Sequence, residues 1–369
     1  MLRFLHAGDL HLGSAAAAFS PRVAARRRER QLAALERLIA DALAAGAQLL
    51  LFAGDVFDTP TPDADLAARF FSLLGKQPVP VLITPGNHDF YREGGVWTGD
   101  NIPENVYIFS KQVLERIDFA ALNLSVFGYA FTGEAMPAPD FGIAAQHADP
   151  DRISILLAHG DLTSPLSRYA PISPAQFETS PFAYAALGHI HNPAEPRRFG
   201  STLVAYSGFF AGRGFDELGV GGALLVDIEG THVGIHQIES TADRFERLSL
   251  DLTGAYSGEE VRTRVATYLA ECDLPDETAL RLSLTGTVGL ACTPDTVALT
   301  ALGSRFALFE VSDETLPILD AAYLEKDPSM RGAFYRAMLP RLSAADPETR
   351  ATAAEALRLG FAALSGKEI

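Results

Sequence analysis

Residues 2–13 read LRFLHAGDLHLG, an apolar run that breaks into Gly8, Asp9, Leu10, His11 and Gly13. A short apolar run ended by a glycine turn reads as a strand buried on both faces, as in a parallel sheet. The same pairing recurs down the chain. QLLLFA (48–53) leads into GDVFD (54–58), VPVLIT (79–84) into GNHD (86–89), ISILLAH (153–159) into AHGD (158–161), and YAALGHI (184–190) into GHIH (188–191). With GDLHLG (8–13), these clusters hold five of the nine histidines. Ligands collect at the carboxyl ends of strands in α/β sheets, and the glycines permit sharp turns and close backbone approach there.

The intervening segments carry a helical period. Between Pro21 and Ala45, Leu32, Leu35, Leu38, Ile39 and Leu43 line one face and Gly46 suits the C-cap; residues 63–75 predict a second helix. This rhythm of strand and helix predicts an α/β fold. After residue 105 the pattern shortens to strands over 123–130, 202–208 and 221–228. The expected architecture is therefore two sheets packed as a sandwich, with helices outside. TADRFERL (241–248) marks a boundary. Beyond it a strand (FERLSLDL), a helix (GEEVRTRVATYLAEC) and strands TALRLSLTG and RFALFEV predict a small α+β domain over 241–314. From 315 to 369 the pattern is helical, in SMRGAFYRAMLPRLS and PETRATAAEALRLGFAALSG.

At 369 residues the chain suits one large or two moderate domains. Its formal net charge of −16 argues against a surface that embraces nucleic acid throughout, although metal ions and local arginines set the field where a substrate sits. Cys272 and Cys292 lack metal-site spacing and read as free thiols of a reducing compartment. No apolar run approaches the ~20 residues that span a bilayer, and the N-terminus has no signal-peptide core. A cytoplasmic enzyme without membrane association is expected.

Taken singly, each cluster has a plain reading: an Asp-x-His cap, a surface strand for GHIH, a turn for GNHD. Five at strand ends are another matter, because burying so many ionisable groups is costly unless cations offset them. Strand alternation in GHIH would point His189 and His191 to the same side, so both could reach bound metal. Oxygen and imidazole ligands without thiolate suit Mn²⁺, Fe or Zn rather than a structural zinc–cysteine site.

The ordered set D-x-H, GD, GNHD, H and GHxH resembles the calcineurin-like metallophosphoesterase superfamily over about residues 1–240. More narrowly, LHAGDLHLG, GDVFD and the small domain after the core resemble the SbcD-type DNA repair exonucleases. LGHIHNP and SGFFAGRGFDELGVGGALLVDI resemble their YhaO-like bacterial branch. The resemblance implies one metal held by Asp9, His11 and His191, another by Asn87, His159 and His189, and Asp55 as the bridge, with Mn²⁺ favoured. It implies that a metal-bridging hydroxide attacks phosphorus while His88, held by Asp58, assists the leaving oxygen. It also implies a nuclease domain over 1–240, a capping domain over 241–314 and a helical segment over 315–369 that docks on an SbcC-like coiled-coil ATPase. DNA is the implied substrate and a homodimer the implied assembly.

Other residues carry weaker signals. Asp89 and Asp161 read as turn or supporting groups. Arg26, Arg27, Arg28 and Arg30 read as the solvated side of the first helix. Arg213 is a candidate substrate contact, and Phe209, Phe210 and Phe215 either stack on a base or pack under their loop. His6, His147, His232 and His236 lie outside every motif and read as structural or exposed. Two other functions stay open: a phosphodiesterase or phosphatase for a small molecule such as a cyclic nucleotide or nucleotide diphosphate, and a non-catalytic scaffold subunit.

Overall fold

The apolar runs become strands that assemble into two six-stranded sheets. A computed structural model describes residues 1–14, 19–289, 292–318 and 321–364, in two compact units, Met1–Phe245 and Glu246–Ile369. In the first unit the strands are β1 (Leu2–Ala7), β2 (Leu50–Ala53), β3 (Val81–Thr84), β4 (Val106–Ile108), β5 (Glu115–Phe119), β6 (Leu124–Gly128), β7 (Ile153–His159), β8 (Tyr184–Gly188), β9 (Arg197–Phe199), β10 (Thr202–Tyr206), β11 (Gly222–Glu229) and β12 (His232–Glu239). One sheet has the order β12-β11-β1-β2-β3-β4 and the other β5-β6-β7-β8-β10-β9. Strands β1 to β4 run parallel, as do β6, β7, β8 and β10, so their carboxyl ends collect along one rim of each sheet.

Both faces of these parallel strands are buried, as their unbroken apolar runs require. Between the sheets lie Leu2, Phe4, Leu51, Leu82, Val126, Ile155 and Tyr184. Outside the first sheet pack helix α1 (Pro21–Ala44), through Leu32, Leu35, Leu38 and Ile39, and helix α2 (Ala64–Gly75), through Phe70, Phe71 and Leu74. The apolar face predicted for α1 is the one it buries, and Gly46 takes the left-handed conformation that ends it, at φ 92°. Asp63 caps α2 by accepting from the amides of Asp65 and Leu66.

The sequence reading missed the edge strands β4, β5, β9 and β12. Edge strands bury one face at most, and ERIDF in β5 keeps alternate charged residues exposed, so no apolar run announces it.

The second unit holds β13 (Phe245–Asp251, all but its first residue), β14 (Ala279–Thr285) and β16 (Leu308–Asp313) in one sheet, the pair β15 (Thr287–Val288) and β17 (Leu316–Pro317), and helices including α3 (Gly258–Glu271) over a core of Val261, Val265, Leu280, Leu282 and Phe309. Its terminal helices, Met330–Leu342 and Pro347–Leu364, share a cluster of Tyr335, Met338, Leu357 and Phe361. The last two residues of the helix expected to reach 366 lie outside the described residues. No described helix is long and apolar enough to cross a membrane.

Candidate metal centre

Each glycine-flanked cluster is a turn at the end of a central strand, and the turns are unusual. Asp9, His11, Asp55 and His189 have positive φ, at 49°, 44°, 48° and 108°. Residues with side chains adopt it uncommonly, aspartate and histidine more readily than most, and such residues gather at functional sites. Backbone bonds lace the first two turns together, with the Asp9 amide donating to Gly54 O at 3.0 Å and the His11 amide to Asp55 O at 2.9 Å. Gly86 leaves room for the third. A Cβ there would sit 2.1 Å from Asp55 Oδ1, the atom that accepts the His88 amide at 2.9 Å.

The side chains converge in overlapping groups, one of them His11, Asp58 and His88. Asp9, His11 and His191 form a second, and Asp9, Asp55 and His159 a third, each with its ligand atoms within 4.8 Å of one another. Asn87 joins through Oδ1, 3.0 Å from His159 Nε2, and the His189 ring packs edge-on to His159 at 5.1 Å. Asp55 Oδ2 lies between the two sides, 3.4 Å from His159 Nε2 and 3.7 Å from His11 Nε2.

The hydrogen-bond chemistry fits cations. Carboxylates and carbonyls only accept, so the Nδ1 hydrogens of His11, His191 and His159 go to Asp58 (3.0 Å), Glu217 (2.6 Å) and Ala53 O (2.9 Å). That turns the Nε2 lone pairs of His11 and His191 toward each other at 3.3 Å, and the His159 lone pair toward Asn87 Oδ1. A proton or a cation must lie between such atoms. The carboxylates supply the attraction: against burial, Asp55 raises His159 to about 9, and Asp9 and Glu217 raise His191 to about 9. Burial and the charge of His159 push His189 down to about 4, leaving it neutral and able to ligate. The cluster is suited to a pair of divalent ions.

His88 stands apart. Its side chain is 42% exposed where His11 is 1% exposed, and its Nδ1 lies 3.4 Å from Asp58 Oδ1. The Asp58 bond, opposed by partial burial and helped by Asp55, raises its pKa. Asp58 is thus shared between His11 and His88, a double duty its sequence position does not reveal. Asp89 is fully buried and ties two turns together, accepting from the Gly86 amide at 2.8 Å and the Phe57 amide at 3.0 Å. Asp161 accepts from Thr163 and Ser164 within its own turn.

Two sequence expectations meet a different structure. Strand β8 ends at Gly188, so His189 and His191 reach the cluster from a turn and not by strand alternation. Arg26 and Arg28 are exposed, whereas Arg27 and Arg30 are only partly so, at 11% and 35%. The latter two pair with buried Asp243, and Arg27 also donates to Gly212 O and lies over Phe19 and Phe245. Phe209 and Phe210 are buried, which is the packing alternative for those two rings. Arg213 does reach the cluster, but through protein partners: Glu217 at 2.8 Å and Asp58 at 3.5 Å. Glu217 is the group the sequence reading missed. Against burial, His191 and Arg213 hold it down to about 2.

His6 is buried among apolar side chains of the inter-sheet core. Its Nε2 donates to Leu187 O at 3.1 Å and its Nδ1 accepts from the Tyr184 hydroxyl at 2.9 Å. Burial lowers its pKa from 6.5 to about 4, despite the Leu187 carbonyl. A histidine depressed in the fold contributes stability that is complete above its unfolded pKa and lost as pH falls through the folded one. Between pH 6.5 and 4 the protein should lose on the order of 3 kcal/mol through this residue. Urea denaturation across that range checks it: His6→Gln should flatten the slope, and an unchanged slope refutes the assignment.

Relatives agree with this geometry. The sequence pattern of the calcineurin-like phosphoesterase family matches residues 2–193. The uncharacterized metallophosphoesterase YhaO of Bacillus subtilis is 29% identical over 268 residues, 69% of this chain and 64% of that protein. The DNA double-strand break repair protein Mre11 of Haloferax volcanii is 29% identical over 295 residues, covering 75% of this chain and 60% of its own length. Mre11 of Methanopyrus kandleri is 24% identical over 223 residues, 56% and 48% of the two chains. The chain thus spans less than two thirds of each of these relatives. With more than half of its residues matched and its histidines and aspartates gathered at strand ends, the chain belongs to the calcineurin-like phosphoesterase family, whose membership implies metal-dependent hydrolysis of phosphoesters.

Proposed function

We propose that this chain is a dinuclear-metal phosphodiesterase acting on DNA, of the SbcD type and its YhaO-like branch. The observation that carries the two-ion reading is Asp55 Oδ2, one carboxylate oxygen between His159 Nε2 and His11 Nε2. In this reading Asp9, His11 and His191 hold one ion, Asn87, His159 and His189 the other, and Asp55 bridges. Mn²⁺ is the favoured metal. Divalent ions there supply Lewis-acid charge and water activation. The chain's own contribution is orientation and proton delivery. Asp58 and Glu217 fix the tautomers of His11 and His191, and His88, steadied by Asp58, donates its proton to the departing sugar oxygen.

The relatives named for DNA double-strand break repair support DNA as the substrate. The same likeness supports a nuclease domain over 1–240, a capping domain over 241–314, a terminal helical segment that docks on an SbcC-like ATPase, and a homodimer. Arg213 holds Glu217 and Asp58, so any contact it makes to phosphate is made while it supports both carboxylates. The net charge of −16 favours the competing reading of a small-molecule esterase.

One experiment separates the two. Purified protein with Mn²⁺ is given single- and double-stranded DNA, a cyclic nucleotide and a bis-aryl phosphodiester. Degradation of DNA is the expected result. Hydrolysis of the small esters with intact DNA overturns the nuclease reading.

A further inference from the structure

The candidate ligands divide between the two sheets. Asp9 and His11 follow β1, Asp55 follows β2 and Asn87 follows β3, whereas His159 ends β7 and His189 and His191 follow β8. Each ion of the proposed pair therefore draws ligands from both sheets, and the gap between the sheets sets how far apart those ligands stand. Apolar packing fills most of that gap, and apolar contact is non-directional, so alone it leaves the sheets free to slide by fractions of an ångström.

At the carboxyl ends the filling changes. Three side chains each donate across the gap to a main-chain carbonyl of the opposite sheet. His6 of β1 donates to Leu187 O of β8, His159 of β7 donates to Ala53 O of β2, and Thr84 of β3 donates to Tyr129 O just after β6. The three bonds follow strand order, since β1, β2 and β3 are neighbours in one sheet and β8, β7 and β6 in the other. All three donors are fully buried. The sheets also approach closely here, where a Cβ on Gly188 would fall 1.9 Å from Ala53 O. Hydrogen bonds tolerate only a few tenths of an ångström and a limited angle, so a row of them fixes both separation and slide.

We propose that this row of cross-sheet bonds positions the metal centre, with His6 and Thr84 as positioning residues that set the spacing of the two ion sites without touching either ion. The proposal rests on the two-ion reading above. Tyr184 completes it by satisfying His6 Nδ1, so His6 keeps its donor on the Leu187 side.

The test uses the full chain loaded with Mn²⁺, and reads ion binding by calorimetry and spin–spin coupling of the ion pair by electron paramagnetic resonance. His6→Phe and Thr84→Val each remove one bond at similar volume; His6→Gln and Thr84→Ser keep a donor. Removal is expected to weaken binding of the pair about tenfold or more, as loss of outer supports does in other metal sites, and to change the coupling. The donor-keeping variants should restore both. Residues with a merely structural role would lower the melting temperature and leave the coupling of the bound pair unmoved, and that result overturns the proposal. If His6→Phe does not fold, Thr84→Val decides alone, because it exchanges one hydroxyl for a methyl. Wild-type protein that takes up no ion pair overturns the two-ion reading along with this one, whereas coupled wild type with coupled, tight-binding variants overturns only this one.

Discussion

His88→Ala should leave a protein that still takes up two divalent ions but cleaves phosphodiesters about 10²–10⁴-fold more slowly, the usual worth of a positioned general acid. The structure separates these two effects. The buried histidines of the cluster turn their Nε2 atoms inward, while His88 is half exposed and meets the protein through Asp58 and the edge of the His11 ring. Its backbone amide, which bonds Asp55 Oδ1, survives the substitution, so the bridging carboxylate keeps that partner. His88 also lies near enough to His11 and Asp58 for a cation to fit among the three. Elemental analysis therefore matters as much as the rate. A variant that loses an ion would reassign His88 as a ligand, and one with full activity would remove it from the reaction.

Asp55→Ala should have the opposite signature, with the ion pair itself lost. Asp55 Oδ2 lies between the His159 and His11 nitrogens, and nearby cationic histidine holds the group far below the usual carboxylate range against complete burial. Without it each proposed ion loses a shared negative ligand, and His159 loses the charge that draws a cation to its lone pair. Metal content after dialysis should fall from two ions to one or none, with turnover falling to background. Retention of both ions by elemental analysis would refute the bridging role.

Much of this centre is legible in the sequence because each cluster is local. A buried strand and its glycine turn occupy about ten contiguous residues, so the apolar run and the ligand it delivers are read together. Asp9, His11, Asp55, Asn87, His159, His189 and His191 all come to one place by this rule. What long-range packing decides was not legible. Glu217 reaches His191 from a loop 26 residues away, and nothing in its neighbours distinguishes it from a surface acid. The arginines of α1 show which side of the helix is apolar, but not that Asp243 will be buried against Arg27 and Arg30. The strand character of YAALGHI stops at Gly188, because His189 turns its amide to the Asp9 carboxylate, at 2.9 Å to Oδ2, instead of continuing the strand.

The left-handed backbone at Asp9, His11 and Asp55 has a consequence for the lineage of this chain. Each such residue costs on the order of 1–2 kcal/mol relative to a relaxed backbone, so the three together consume a sizeable part of the roughly 5–15 kcal/mol that holds a domain folded. Glycine at any of them would relieve that cost at once. A descendant freed from chemistry would drift toward such replacements, because selection on folding alone favours them. Three side chains kept in that conformation in one centre are what selection for a working site preserves, and they weigh against a subunit that has given up catalysis to serve as a scaffold.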